Sequence, residues 1–197
     1  MKFTREHRII SDPPIAQLLF SDTRMALVWL VIRVYVGYAW LEAGWHKVTD
    51  PGWVETGKSL QAFWARVAAV PVAPAKPAIT YDWYRSFLQM LLDGGTWTWF
   101  GKLIAYGELV IGIALILGAF TGVAAVAGGF MNMNFMLAGT ASTNPILLLL
   151  AFLLIMAWKT AGYLGLDNVL LPFLGTPWKV GRPGVAQQQL APAQKAL

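Results

Sequence analysis

The sequence predicts an all-α integral membrane protein: a four-transmembrane-helix bundle with an external amphipathic helical excursion between spans one and two. Three observations predict it. Four apolar stretches, near 25–45, 99–120, 123–139 and 146–163, each approach the ~20 residues that cross a ~30 Å hydrocarbon core. Charged residues are only 13% of the chain and hydrophobic residues 57%, where a soluble domain carries ~25% charged. Such a chain cannot cover a compact surface with polar groups, so lipid covers part of it. Tryptophan and tyrosine gather between the first and second stretches, as they do at membrane–water boundaries.

Residues 1–24 form a polar N-terminal tail with Lys2, Arg5, Glu6, Arg8, Asp12, Asp22 and Arg24, broken by Pro13-Pro14. No apolar core with a small-residue cleavage site precedes the first span, so a retained cytoplasmic tail is expected. Span one, 25–45, carries Arg33 and Glu42. Residues 46–95 form an extramembrane helical loop. Within it Trp53, Leu60, Phe63, Trp64 and Val67 recur at helical spacing, opposite Glu55, Lys58, Gln61 and Arg66. That face suits either a membrane surface or the ends of the spans. Pro71, Pro74 and Pro77 make an extended linker. Residues 82–93 then form a short helix ended by Gly94-Gly95.

Span two, 99–120, contains Glu108, and Thr121-Gly122 turns the chain. Span three, 123–139, is rich in glycine and alanine and contains Asn132 and Asn134. Asn144 before Pro145 reads as the N-cap of span four, with proline at the first helical position. Span four, 146–163, places Lys159 near its end, where it can snorkel. The membrane domain thus covers 25–167. The Pro-, Gly- and Gln-rich C-terminal tail, 168–197, reads from Asp167 onward as a loose docking segment. Four spans put both termini on one side. The basic residues of the tails (among them Lys179, Arg182 and Lys195) favour the cytoplasmic side of a cell's inner (plasma) membrane, with the long loop outside.

The net charge of +5 is scattered beside apolar spans, which points to membrane flanks and away from nucleic acid. The chain has no cysteine, which removes disulfides, thiolate zinc sites, all-cysteine iron–sulfur clusters and cysteine-attached haem. Its two histidines are His7 and His46, and His7 lies in the tail, so two intramembrane haem ligands are lacking. No nucleotide motif, hydrolase triad or clustered metal site is visible.

Ionisable groups inside a bilayer cost at least ~2.5–3.5 kcal/mol each at its centre, and mark functional candidates. Arg33 and Glu108 sit near the middles of spans one and two, and antiparallel neighbours would let them pair. The plainer role of such a pair is to fix helix register. Glu42 and His46 are four residues apart on one face, with Tyr35 and Tyr38 close to it. They suit proton transfer at a quinone headgroup, or plain interfacial anchoring. Asn132 and Asn134 point in different directions, so one can bond between helices while the other faces a cavity.

Several segments together resemble a known family. Trp40-Leu41-Glu42-Ala43-Gly44-Trp45-His46-Lys47 with Asp50-Pro51 resembles the first-span signature of DoxX/DoxD-like membrane proteins. Gly107-Glu108-Leu109, Ile111-Gly112 and Leu117-Gly118 with Thr121 resemble the second. Asn132-Met133-Asn134-Phe135, Ala138-Gly139 and Ser142-Thr143-Asn144-Pro145 resemble the third, and Ala161-Gly162 with Gly165-Leu166-Asp167 the fourth. The ordered set spans about 24–168. The resemblance implies a four-helix membrane bundle. Its DoxD branch is a subunit of thiosulfate:quinone oxidoreductase, which works with a partner, DoxA. On that footing the expectation is a membrane subunit of a quinone-linked oxidoreductase. Glu42, His46 and Glu108 would handle protons; Arg33, Trp40, Lys47, Asn132, Asn134 and Asn144 would be binding or structural. The expected partners are the lipid bilayer, membrane quinone and a protein subunit, with no covalently bound cofactor. The alternative is a non-catalytic accessory subunit that stabilises a larger respiratory or photosynthetic complex.

Overall fold

The structure, a computed structural model, describes residues 12–174. The tail expectations on Lys2, Arg5, Glu6, His7 and Arg8, and on Lys179, Arg182 and Lys195, lie outside the described residues. Among the described residues the chain is helical and contains no strand. Helix α1 (Pro14–Ser21) leads through a single 3-10 turn into α2 (Ala26–Val48). Three shorter helices follow: α3 (Pro51–Val54), α4 (Lys58–Ala68) and α5 (Asp82–Asp93). Then come α6 (Trp97–Leu117), α7 (Thr121–Leu137), α8 (Asn144–Met156), α9 (Trp158–Ala161) and α10 (Asp167–Phe173).

Among the described residues, two helical segments are long and apolar enough to cross a membrane: Thr23–Val48, of 26 residues, and α6, of 21. Helix α7 has 17 residues and α8 has 13. The fourth apolar stretch, expected as one helix, is interrupted where Ala157 leaves helical geometry at φ −91°, ψ 13°. The segment after Asp167, expected to be loose, is instead helical at α10, with Asp167 buried. Asn144 is the first helical residue of α8 and not its N-cap; Thr143 takes that position. The Asn144 amide donates back to the Thr140 carbonyl at 2.9 Å.

Helices α2 and α6 form the central antiparallel pair. Gly37 faces Ile116 and Gly44 faces Leu109, so the residue numbers run in opposite directions across the contact. A Cβ on Gly44 would lie 2.5 Å from the Leu109 nitrogen. Only hydrogen in place of a side chain lets the two backbones come this close. Helices α7 and α8 pack as a hairpin against this pair, around Trp29, Val36, Trp40, Ile111, Leu115 and Leu154. A second core lies over one end of the bundle. There α4 and α5 bury Leu60, Trp64, Val67, Tyr84 and Leu88 against each other and the start of α6. Of the two readings of the amphipathic loop, the packing realises the one in which it covers the ends of the long helices.

The outer faces of the bundle are apolar. Leu27, Val31, Val34 and Tyr38 on α2 are exposed, as are Leu103, Val110, Ile113 and Leu117 on α6. Val123, Val126, Phe130 and Met133 continue this on α7, and Ile146, Leu149, Phe152 and Met156 on α8. A bundle in water would show charge at these spacings. The opposite end is closed by α1, where Trp29 Nε1 donates to the Leu19 carbonyl and Thr160 Oγ1 to the Phe20 carbonyl, both at 2.7 Å.

Candidate functional site

The ionisable residues inside the bundle divide between its two ends. Antiparallel register sets Gly44 beside Glu108 and Leu109, and Gly37 beside Ile116. Arg33, one turn before Gly37, therefore meets the α6–α7 turn and not Glu108. Glu108 is ~10 residues, or ~15 Å, further along α6. The expected Arg33–Glu108 pair is not formed.

Glu108 instead takes Lys47. The lysine Nζ lies 2.5 Å from Glu108 Oε2, and the carboxylate is 1% exposed. Lys47 also places its ammonium 5.3 Å from the centre of the Trp53 ring, a cation–π contact. Trp53 is presented by α3, which Asp50 begins: its carboxylate accepts the Gly52 N–H at 2.8 Å and the Ser59 hydroxyl at 3.3 Å. Asp50-Pro51 is thus a capped helix start with proline in the first turn. Sequence reasoning named Lys47 but missed its partner. The signal lay in its position just past the apolar run, where a long cation can reach back along the helix.

Arg33 is buried at the other end. Its Nη2 donates to the Leu164 carbonyl at 3.0 Å. The guanidinium threads between Gly118 and Gly165, and a Cβ on Gly165 would lie 2.7 Å from Nη1. Asp167, whose charge acts on Arg33, accepts the Phe120 and Thr121 N–H groups at 2.5 and 2.8 Å. It thereby caps the start of α7 from across the fold. This cluster reads as a structural clasp, and Asp167, which sequence reasoning set at the start of a loose tail, is one of its anchors.

A cavity of about 1300 Å³ lies at the other end, beneath α4 and α5. Drug-sized sites run to ~1,000 Å³, so this one has room for a ring and part of an attached chain. Glu42, His46, Lys47 and Glu108 line it, as do Trp40, Asn132, Asn134 and Asn144. Eight of the nine site residues chosen from the sequence thus share one wall system, and Arg33 is the one set apart. Glu42, His46, Tyr35 and Tyr38 are exposed on the α2 side. Asn134 is tied to α5: the Tyr84 hydroxyl donates to its backbone carbonyl at 3.0 Å, and its Nδ2 donates to the Phe130 carbonyl at 2.8 Å. Burial pushes the Tyr84 hydroxyl above the usual phenol range, which keeps it a donor. Asn132 and Trp40 are fully buried, and their polar side-chain atoms have no hydrogen-bond partner among the described residues.

Among the described residues no three metal-binding side chains gather into a candidate metal site. Trp40, Glu42, His46, Lys47, Glu108, Asn132, Asn134 and Asn144 thus meet at the cavity, while Leu117–Thr121 and Gly162–Asp167 meet at the Arg33 clasp. Comparison with family models, with curated proteins and with solved structures finds no match for this chain.

Proposed function

We propose that this chain crosses the membrane four times, with both termini in the cytoplasm, and is the membrane subunit of a quinone-linked oxidoreductase system. The apolar outer stripes on all four bundle helices support four crossings. Helices α7 and α8–α9 are short for a ~30 Å core, and buried flanking residues and local bilayer thinning accommodate that difference.

The observation that carries the function is the cavity wall. A buried carboxylate–ammonium pair and two unpartnered neutral polar side chains face an apolar chamber large enough for a ring with a tail. Membrane quinone is such a molecule, and it takes up two electrons and two protons when reduced. Asn132 and Trp40 fit its ring oxygens, and the apolar walls fit its chain. Glu42 and His46 stand where the cavity meets the exposed face, and hold protons there. Glu108, further in and held by Lys47, carries a negative charge or a proton next to the chamber. The chain has no cysteine to ligate an iron–sulfur cluster, and in this reading it receives electrons from a protein partner. The DoxD resemblance makes that partner an oxidoreductase acting on a reduced sulfur compound such as thiosulfate.

Isolation from native membranes in mild detergent tests this reading. The expected result is bound quinone together with a stoichiometric soluble oxidoreductase subunit. Recovery only as a peripheral member of a large respiratory or photosynthetic complex, without quinone, would replace it by the accessory-subunit reading. In an active preparation, Glu108→Gln is expected to lower quinone reduction at least tenfold, in line with the loss of a general acid–base group. Full activity in an assembled Glu108→Gln subunit would remove the proton role.

A further inference from the structure

Three buried hydrogen-bonding atoms of residues that line the cavity are left over by the fold. Asn132 is completely buried, and both Nδ2 and Oδ1 lack a partner among the described residues. Trp40 is 3% exposed, and its Nε1 is also unpartnered. Asn134 and Asn144, by contrast, each donate to a backbone carbonyl. Buried polar atoms almost always find partners, so a pair of exceptions on one cavity calls for a cause.

The two residues come from α2 and α7, and one contact relates them. A Cβ on Gly128 would lie 2.9 Å from Trp40 Nε1. The missing side chain at Gly128 is what lets the indole N–H reach α7. Asn132 is one turn further along the same helix face. The indole N–H therefore reaches α7 one turn from Asn132, and both residues line the cavity.

We infer that Trp40 Nε1 and the Asn132 carboxamide together recognise a ring oxygen of a neutral, otherwise apolar ligand. The inference rests on the quinone reading and names the atoms that select the molecule. An indole N–H only donates, so it requires an acceptor. A carboxamide both donates and accepts. A ring carbonyl takes one bond from each residue. A ring hydroxyl in the same place accepts from Trp40 and donates to Asn132 Oδ1. The pair thus holds both the oxo and the hydroxyl form of one ring. Neither side chain is charged, and Leu88, Ile104, Ile111 and Leu147 line the cavity with them, which suits a neutral ligand.

The test uses the full chain in phosphatidylcholine nanodiscs, with binding read as ligand retained above empty discs. Decylubiquinone is the probe, and decylbenzene, which has the tail and a ring but no oxygens, is the control. Wild type is expected to prefer decylubiquinone. Asn132→Leu and Trp40→Phe are each expected to lower its affinity about tenfold, the size of a lost hydrogen bond, and to leave decylbenzene binding unchanged. Asn132→Leu is also expected to melt no lower than wild type, because it deletes an unsatisfied polar group; a purely structural amide would lower the melting temperature instead. If wild type shows the preference and both variants keep it, the inference is overturned and the quinone reading stands. If wild type shows no preference, both fall. If Asn132→Leu does not fold, Trp40→Phe decides the matter alone.

Discussion

Lys47 and Glu108 form an ion pair in which one member is completely buried and the other is 21% exposed. That asymmetry decides what each substitution does. Removing the lysine strands a carboxylate in an apolar surround, whereas neutralising the carboxylate leaves a cation that can turn toward water and still lie over Trp53. Lys47→Met is therefore expected to destabilise the purified protein by about 3 kcal/mol, toward the low end for a broken buried pair because Lys47 is partly exposed. Glu108→Gln should cost less, and the double variant should recover much of the loss. The midpoint of detergent denaturation across the four proteins measures this cycle. A Lys47→Met change without effect would mean that the carboxylate is satisfied without the lysine. Tyr84 offers a second reading at this scale. Burial raises its folded pKa above the free phenol value, so it ionises after an exposed tyrosine. Its contribution to docking α5 on α7 is complete below the unfolded value near ~10 and is lost as pH rises through the folded one. In an ultraviolet titration, Tyr84→Phe is expected to remove a late-ionising step, and its persistence would place that proton elsewhere.

At the scale of elements, the α6–α7 turn shows how a clasp is built from pieces far apart in the chain. Gly118 adopts φ +67°, a region that side chains enter at a cost, and the Arg33 guanidinium occupies the space where its Cβ would stand. The Leu166 and Asp167 N–H groups donate to the Leu117 and Gly118 carbonyls at 3.1 and 2.8 Å, so the segment after α9 is stitched to the turn. Gly118→Ala is expected to cost about 1–3 kcal/mol from backbone strain, with a further loss from the steric conflict. Adding Arg33→Met should relieve the steric part alone, so the two changes are expected to be non-additive in thermal melts. The elements themselves were legible in the sequence. Apolar runs of span length, Asn144-Pro145 and the period of 53–67 marked helical stretches within a few residues of where they lie, although the single helix read across 53–67 is split at Gly57, φ +68°, into α3 and α4. The partners were not legible. Pairing Arg33 with Glu108 assumed that mid-span residues meet, but the register of α2 on α6 is set by the Gly37–Ile116 and Gly44–Leu109 contacts. Such close approaches depend on tertiary fit and leave no local pattern. The same holds for Asp167, whose role as a cap for α7 joins residues 46 apart. Trp40, Asn132 and Glu108 were picked out individually, yet only the fold brings them to one chamber.

At the scale of the whole molecule, the clasp and the chamber sit at opposite ends of the same bundle, and the number of crossings decides which side of the membrane each occupies. Because the chain has no cysteine, a single introduced cysteine is the only thiol, and its labelling reports one position cleanly. Asp12 and Asn168 are exposed near the clasp end; Lys76 and Ala141 are exposed near the chamber end. With four crossings and cytoplasmic termini, Lys76→Cys and Ala141→Cys should react with an impermeant maleimide in intact cells. Asp12→Cys and Asn168→Cys should react only after lysis. The loop at Ala141 is the discriminating position. If only α2 and α6 cross, α7 and α8 lie on the side of the termini and Ala141→Cys stays protected along with Asp12→Cys, while Lys76→Cys still labels. If no helix crosses, all four positions behave alike. Reaction of both Lys76→Cys and Ala141→Cys from outside would also put the mouth of the chamber, with Glu42 and His46, on the outer face. On the proposed quinone reading, protons taken up at those residues would then come from outside the cell.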